Sequence, residues 1–182
     1  MTLPHRLPVF AAVVGLLVAA LAACNPVFNW REVPVGDAGL VALLPCKPDR
    51  ATRAMPLGVE AVTVDMAGCE AGGATFAVAH AVASSQSQAE GWLRAWRSAT
   101  RSQLGDAAAS AVEAPATVPR AAGMPAPLRL DAAAAAADAP ALQVLWFAQR
   151  RADGVSLYQA TVVGRPATAD APQIFFEGLH IP

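Results

Sequence analysis

Leu142 to Val163 constrains the fold more than any other stretch of the chain. Leu142 to Gln149 is apolar on both alternating faces, with Val144 and Trp146 on one and Leu145 and Phe147 on the other. Asp153-Gly154 then supplies a hairpin turn, and Val155 to Val163 returns as the partner strand. Strands apolar on both sides must be shielded from water on both sides. The pair is therefore predicted to lie centrally in a sheet that is covered above and below, and the hairpin makes the pairing antiparallel.

The rest of the chain supplies more strands and the covering layers. Leu40 to Leu44 reads as a buried strand stopped by Pro45 and Pro48, and Ala51 to Leu57 as a short edge strand. Val62, Val64 and Met66 alternate with Thr63 and Asp65 in a half-buried strand that runs to Cys69. After a Gly72-Gly73 turn, Phe76, Val78, His80 and Val82 alternate with alanines. Ser87 to Leu104 is an amphipathic helix. Trp92, Leu93, Trp96, Ala99 and Thr100 share one face, and Arg94, Arg97 and Arg101 share the opposite one. Ser87 and Glu90 have the spacing of a capping box, and Gly105 is placed to end the helix. Ala107 to Pro127 is proline-broken, with a short strand around Ala111 to Ala114. Leu128 to Leu130 is a further strand, and Ala132 to Ala137 is low-complexity. Asp170-Ala171-Pro172-Gln173 begins a short C-terminal helix that carries Ile174, Phe175, Phe176 and Leu179. The expectation is an α+β fold: one curved antiparallel sheet with the mid-chain helix and the C-terminal helix packed on it. Residues 24–34 read as a tether and 35–182 as a single domain.

The N-terminus reads as an address. Met1 to Pro8 carries Arg6 and no acid, Val9 to Ala20 is an unbroken apolar run, and small residues follow. This is the layout of a secretory signal peptide over residues 1–23. The run from Val9 to Ala23 is shorter than the roughly 20 residues a spanning helix needs; an uncleaved anchor is the alternative. Leu21-Ala22-Ala23-Cys24 resembles the lipobox of bacterial lipoprotein precursors. The resemblance implies diacylglycerol on the Cys24 sulfur, cleavage before Cys24 and acylation, for example with palmitate, of the new amine. Several acyl chains anchor stably where one does not. In that family an Asp after the Cys tends to retain the protein in the inner membrane; Asn25 stands here, which favours the outer membrane, facing the periplasm.

With Cys24 assigned to lipid, Cys46 and Cys69 remain, and an exported compartment is oxidising. A Cys46–Cys69 disulfide is expected. The rival is a redox or metal pair, but the chain has no CxxC, and beyond the signal its only histidines are His80 and His180, too few ligands for a tetrahedral zinc site.

The chain bears two further resemblances. Phe28-Asn29-Trp30-Arg31-Glu32-Val33, Leu44-Pro45-Cys46-Lys47-Pro48, Thr75-Phe76-Ala77-Val78, Trp146-Phe147, Tyr158-Gln159-Ala160 and Phe175-Phe176-Glu177-Gly178-Leu179 look like a group of exported, mostly proteobacterial lipoproteins. The layout is also similar to the PsbP-like fold, in which a strand ending in a Pro-x-x-Pro turn precedes hairpins, a mid-chain helix and a late helix. That resemblance implies a non-catalytic binding or assembly module.

The charge balance, 13 basic against 14 acidic residues, gives no global attraction to nucleic acid. No phosphate-binding glycine loop and no Ser-x-x-Lys occurs, since the only lysine is Lys47. No cofactor or metal is expected, and no catalytic set is visible. His80 on an apolar strand face reads either as a core histidine or as the centre of a pocket for a small hydrolase or ligand carrier, with Ser84, Ser85 or Ser87 nearby. The Arg94, Arg97 and Arg101 stripe reads either as a solvated helix face, with Glu90 pairing to Arg94, or as a contact for anionic headgroups or an acidic partner. The expected partners are the membrane, through the lipid, and another envelope protein.

Overall fold

The computed structural model describes residues 27–37, 39–134 and 140–182. Among the described residues nine strands fall into two sheets. β1 (Arg31–Val35) and β2 (Leu40–Leu44) form an antiparallel hairpin. The large antiparallel sheet has seven strands in the order β3 (Asp49–Leu57), β4 (Glu60–Ala71), β5 (Ala74–Ala83), β9 (Gly154–Gly164), β8 (Leu142–Arg151), β7 (Leu128–Ala132), β6 (Val112–Pro115). The α+β reading holds, and the β8–β9 hairpin is central, as its two-sided apolarity requires. The signal segment and Cys24, and residues 135–137 of the alanine run, lie outside the described residues.

Each face of the sheet has its own cover. On one side lies α1 (Gln86–Gln103), which buries Ala89, Trp92 and Trp96 against Val62, Val64, Ala81 and Leu157. Its Leu93 meets Leu130, Val144 and Trp146. Full burial of a large apolar side chain contributes about 1.5–3 kcal/mol, so the Trp92/Trp96 stripe is enough to fix the helix on the sheet. On the other side the β1–β2 hairpin and α2 (Ala171–Glu177) pack Val33, Val35, Leu40, Leu44, Phe175 and Phe176 over Phe76, Val78, Phe147 and Tyr158. The Cys46–Cys69 disulfide ties the end of β2 to β4. The chain end is clipped to β2 as well: Val41 and His180 exchange two backbone hydrogen bonds of 3.0 Å.

Three local readings are corrected. The stretch read as a tether contributes Arg31 to Pro34 of β1, with Val33 buried, and Phe28 and Trp30 pack on the core, so the folded body begins well before residue 35. The helix cap is Ser85, not Ser87. The Ser85 hydroxyl accepts from the Gln88 amide, and the Gln88 side chain returns to accept from the Ser84 amide at 2.7 Å. The arrangement resembles a capping box moved two residues upstream, with glutamine at N3 and its return bond on the residue before the cap. Glu90 consequently accepts from Gln86 at 3.0 Å rather than serving a cap. Gly105 does end the helix region, in the left-handed conformation (φ +53°) that a side chain disfavours.

The two sheet edges differ. β6 is four residues long and ends in Pro115. β3 is nine residues long, and Asp49 to Ala54 are exposed on both faces. It carries Arg50, Arg53 and Pro56, residues that discourage edge-to-edge pairing.

Candidate functional site

His80 lies on β5 between two neighbours, opposite Asp65 of β4 and Tyr158 of β9. Its ring is 3% exposed and stacks on Tyr158, with centroids 5.0 Å apart and planes at 25°. Tyr158 in turn stacks on Phe147 at 5.0 Å. The turn after β1 closes over the imidazole. Gly36 (φ +62°) sits so close that an added Cβ would collide with Nδ1. Neither ring nitrogen has a hydrogen-bond partner among the described residues. Burial therefore lowers the His80 pKa, opposed by Asp65, aided by Arg151 and opposed by Asp37. The Tyr158 hydroxyl donates to Gln149 Oε1 at 3.1 Å, and burial pushes its pKa up to about 12.

The depressed His80 pKa has a sign that can be measured. The unfolded chain takes up a proton near pH 6.5 and the folded chain only at lower pH, so this contribution to stability is complete above that range and falls as pH drops through it. His80→Phe is expected to flatten the loss of stability between pH 7 and pH 5, read from urea unfolding at each pH. An unchanged slope would contradict the buried neutral imidazole.

Ser84, Ser85 and Ser87, near His80 in the sequence, make no hydrogen bond to its ring. Ser84 Oγ lies 2.9 Å from Gln88 Oε1, and Ser85 and Ser87 hydroxyls are 3.2 Å apart in the helix cap. The Asp65 carboxylate accepts from the Thr52 hydroxyl at 2.6 Å. The cluster thus has a histidine and a carboxylate on adjacent strands but no hydroxyl bonded to the imidazole.

Beside His80 the sheet opens. β4 and β5 pair from Ala71↔Ala74 down to Asp65↔His80, where the ladder stops. Glu60 to Val64 continue in register with β3 alone, and Ala81 to Ala83 with β9 alone. The strands fork around a cleft of about 510 Å³, lined by Glu60, Thr63, Asp65, His80, Val82 and Trp92 among others. At its mouth Gln88 Nε2 donates to Glu60 at 3.0 Å.

The arginine stripe is largely engaged within the fold. Arg97 and Arg101 bend to the same carboxylate on β6, with Nη2 and Nη1 at 2.6 and 2.8 Å from Glu113. Arg94 remains exposed. Burial opposes ionisation of Glu113, but the hydrogen bonds from Arg101 and Arg97 outweigh it and hold its pKa below the ordinary carboxylate value. Stability from this carboxylate is present above the usual range and lost as pH falls through the lowered value. Glu113→Gln is expected to destabilise by about 1 kcal/mol at neutral pH, in line with a partly exposed charge network. The difference from wild type should shrink as pH falls below the ordinary carboxylate range, as read from denaturant midpoints. A difference that does not change with pH would contradict the ion pairing. Lys47 is exposed on the turn pinned by the disulfide.

A second cleft was not visible in the sequence. It has a volume of about 640 Å³ and lies between α2 and the β6–β7 side, lined by Pro115, Thr117, Pro119, Arg129, Phe176 and Glu177 among others. The Arg129 guanidinium lies 4.5 Å from the centroid of Phe176 and is held by Asp131, to which Nε and Nη2 donate at 2.9 and 3.0 Å. The only local signal is Arg129-Leu130-Asp131, whose i, i+2 spacing puts both charges on one strand face.

Among the described residues no group of three or more His, Cys, Asp or Glu side chains could hold a metal ion. No described helix is long and apolar enough to cross a membrane. Compared with known proteins, the chain matches no family model, no curated protein and no solved structure.

Proposed function

We propose that this chain is a lipid-anchored envelope lipoprotein whose α+β body is a non-catalytic binding module facing the periplasm. The observation that carries the reading is the Cys46–Cys69 bridge. It uses both cysteines of the body and leaves Cys24, directly behind the apolar run and within Leu21-Ala22-Ala23-Cys24, as the remaining thiol for a lipid. A bridge of this kind suits an oxidising compartment. Asn25 after the cysteine favours the outer membrane. The partners are the bilayer, through the lipid, and an envelope protein. The arginine stripe is a weaker contact surface than its spacing suggests, because Glu113 neutralises part of it.

A second reading, a ligand carrier or small hydrolase using the cleft beside His80, is favoured by the unpartnered imidazole there. Envelope fractionation with crosslinking tests the proposal. Wild-type protein is expected in the membrane fraction with a discrete crosslinked partner, and Cys24→Ser in the soluble extract without it. Wild-type protein in the soluble fraction would overturn the anchor; membrane-bound protein with no crosslinked partner would overturn the binding role.

A further inference from the structure

The fork between β4 and β5 leaves backbone groups facing an empty lane. Both flanking hairpins turn through two residues, closing on Leu57↔Glu60 and Ala71↔Ala74. In such hairpins the closing pair is hydrogen-bonded, and bonded pairs recur at every second residue. Counting from Leu57↔Glu60, residues 60, 62 and 64 of β4 turn their amides and carbonyls to β3, and Ala61 and Thr63 turn theirs away. Counting from Ala71↔Ala74, the β5 residues facing β4 are the even ones, ending at His80 and Val82. The two counts agree at Asp65↔His80, the last rung. Beyond it Ala61 and Thr63 face Val82 across the cleft with no strand between them.

Side chains show the same deficit. His80, with both ring nitrogens, and the Trp92 indole N–H are more than nine-tenths buried, lack partners among the described residues and line this cleft. A buried polar group without a hydrogen bond costs about 1–3 kcal/mol, so these two, on opposite faces of the sheet beside one fork, are a debt that a segment lying in the fork can settle. A neutral imidazole offers one donor and one acceptor, and the indole one donor. The charged lining residues are Glu60 and Asp65; the cleft lining contains no lysine or arginine.

We propose that the fork accepts a short extended segment of a partner polypeptide carrying basic side chains, which lies between β4 and β5 as an added strand. The segment takes backbone hydrogen bonds from Thr63 and Val82, presents its basic side chains to Asp65 on the face of the sheet that carries His80, and places polar groups against His80 and Trp92. The mode is strand addition, with main-chain bonds giving affinity and alternate side chains giving selectivity. The inference rests on the binding-module reading and locates its site.

The test uses the full-length protein in detergent micelles, observed by amide and indole nuclear magnetic resonance. The probes are an acetylated, amidated octapeptide alternating valine and lysine, its valine–glutamate counterpart, and spermidine. The lysine peptide is expected to shift Ala61, Thr63, Val82 and the Trp92 indole, and the glutamate peptide to bind at least about tenfold more weakly. Val82→Pro removes an N–H that faces the fork and not β9, and is expected to weaken binding about tenfold. Asp65→Asn, which keeps the side-chain shape, should weaken the lysine peptide severalfold and serves if the proline variant does not fold. Four results would overturn the fork: no shifts there with the lysine peptide, shifts along Arg50, Thr52 and Ala54 at the outer edge of β3 instead, equal binding of the glutamate peptide, or full reproduction of the shifts by spermidine. If Val82→Pro protein keeps its crosslinked envelope partner, the fork is wrong and the binding reading survives; if wild-type protein has no such partner, the binding reading itself falls.

Discussion

Replacing Trp146 with alanine is expected to destabilise the fold by about 4 kcal/mol, since deleting a large buried aromatic removes its transfer energy and leaves a cavity. Trp146 is fully buried on central β8, packs with Leu93, Leu130 and Val144 under α1, and donates from Nε1 to Gln159 Oε1 at 2.8 Å. Alanine therefore costs packing on β7 and the helix, and strips the half-buried Gln159 amide of a partner. A domain of ordinary stability has about 5–15 kcal/mol in total, so the variant should sit near the limit of folding at 37 °C. The check is urea unfolding at 25 °C, with a lowered midpoint and an unchanged slope. A loss under about 1 kcal/mol would mean that β8 is not the covered centre of the sheet. Trp146→Phe, which keeps most of the volume and loses the hydrogen bond, should fall between wild type and alanine.

Breaking the Cys46–Cys69 bridge is the second large effect. The cysteines are 23 residues apart, and in the chain-entropy model closing such a loop stabilises by about 3.4 kcal/mol. The double Cys46→Ser, Cys69→Ser variant should lose close to that amount, and wild type unfolded in the presence of a thiol reductant should match it. The structural consequence is specific. The bridge joins the turn after β2 to β4, so its loss frees one end of the β1–β2 hairpin that covers Phe76 and Val78. Hydrogen exchange should rise first in Leu40 to Leu44. Equal stability of the bridged and serine forms would show that the cysteines are not paired in the folded protein. Trp146 and the bridge sit on opposite faces of the sheet, so the two losses should add within about 0.5 kcal/mol.

Much of this fold was legible because its signals are local. The two-sided apolarity of Leu142 to Val163 could only mean a central hairpin, and the Trp92/Trp96 spacing could only mean a helix with one buried face. The Cys46–Cys69 pairing followed from assigning Cys24 elsewhere. Local signals also misled where two candidates competed. Ser85 and Ser87 are both plausible caps, and the choice depends on Gln88 reaching back to Ser84, which competes equally well with an acidic residue. Arg31 to Val35 lacks clean alternation because proline interrupts it, so the strand exists only through its pairing with β2 and its burial on the core.

What the sequence could not reveal depends on which strands become neighbours. Arg97 and Arg101 read as a free stripe because Glu113 meets them only after β6 has been placed beyond β7. Arg129 and Phe176 are distant in sequence and come together only because α2 packs on the face that Arg129 shares. The fork is the clearest case. Residues 60–64 and 80–83 each have ordinary strand patterns, and no residue marks the point where the two strands separate. It is a property of how β3, β4, β5 and β9 pair, and it becomes visible only as a ladder that stops at Asp65↔His80.

The most direct test of the central claim is metabolic labelling of producing cells with a radioactive fatty acid, followed by isolation of the protein. Wild type should carry label that survives denaturation, and Cys24→Ser should carry none. Label that persists in Cys24→Ser, or wild-type protein without label, would contradict a lipid-anchored envelope module.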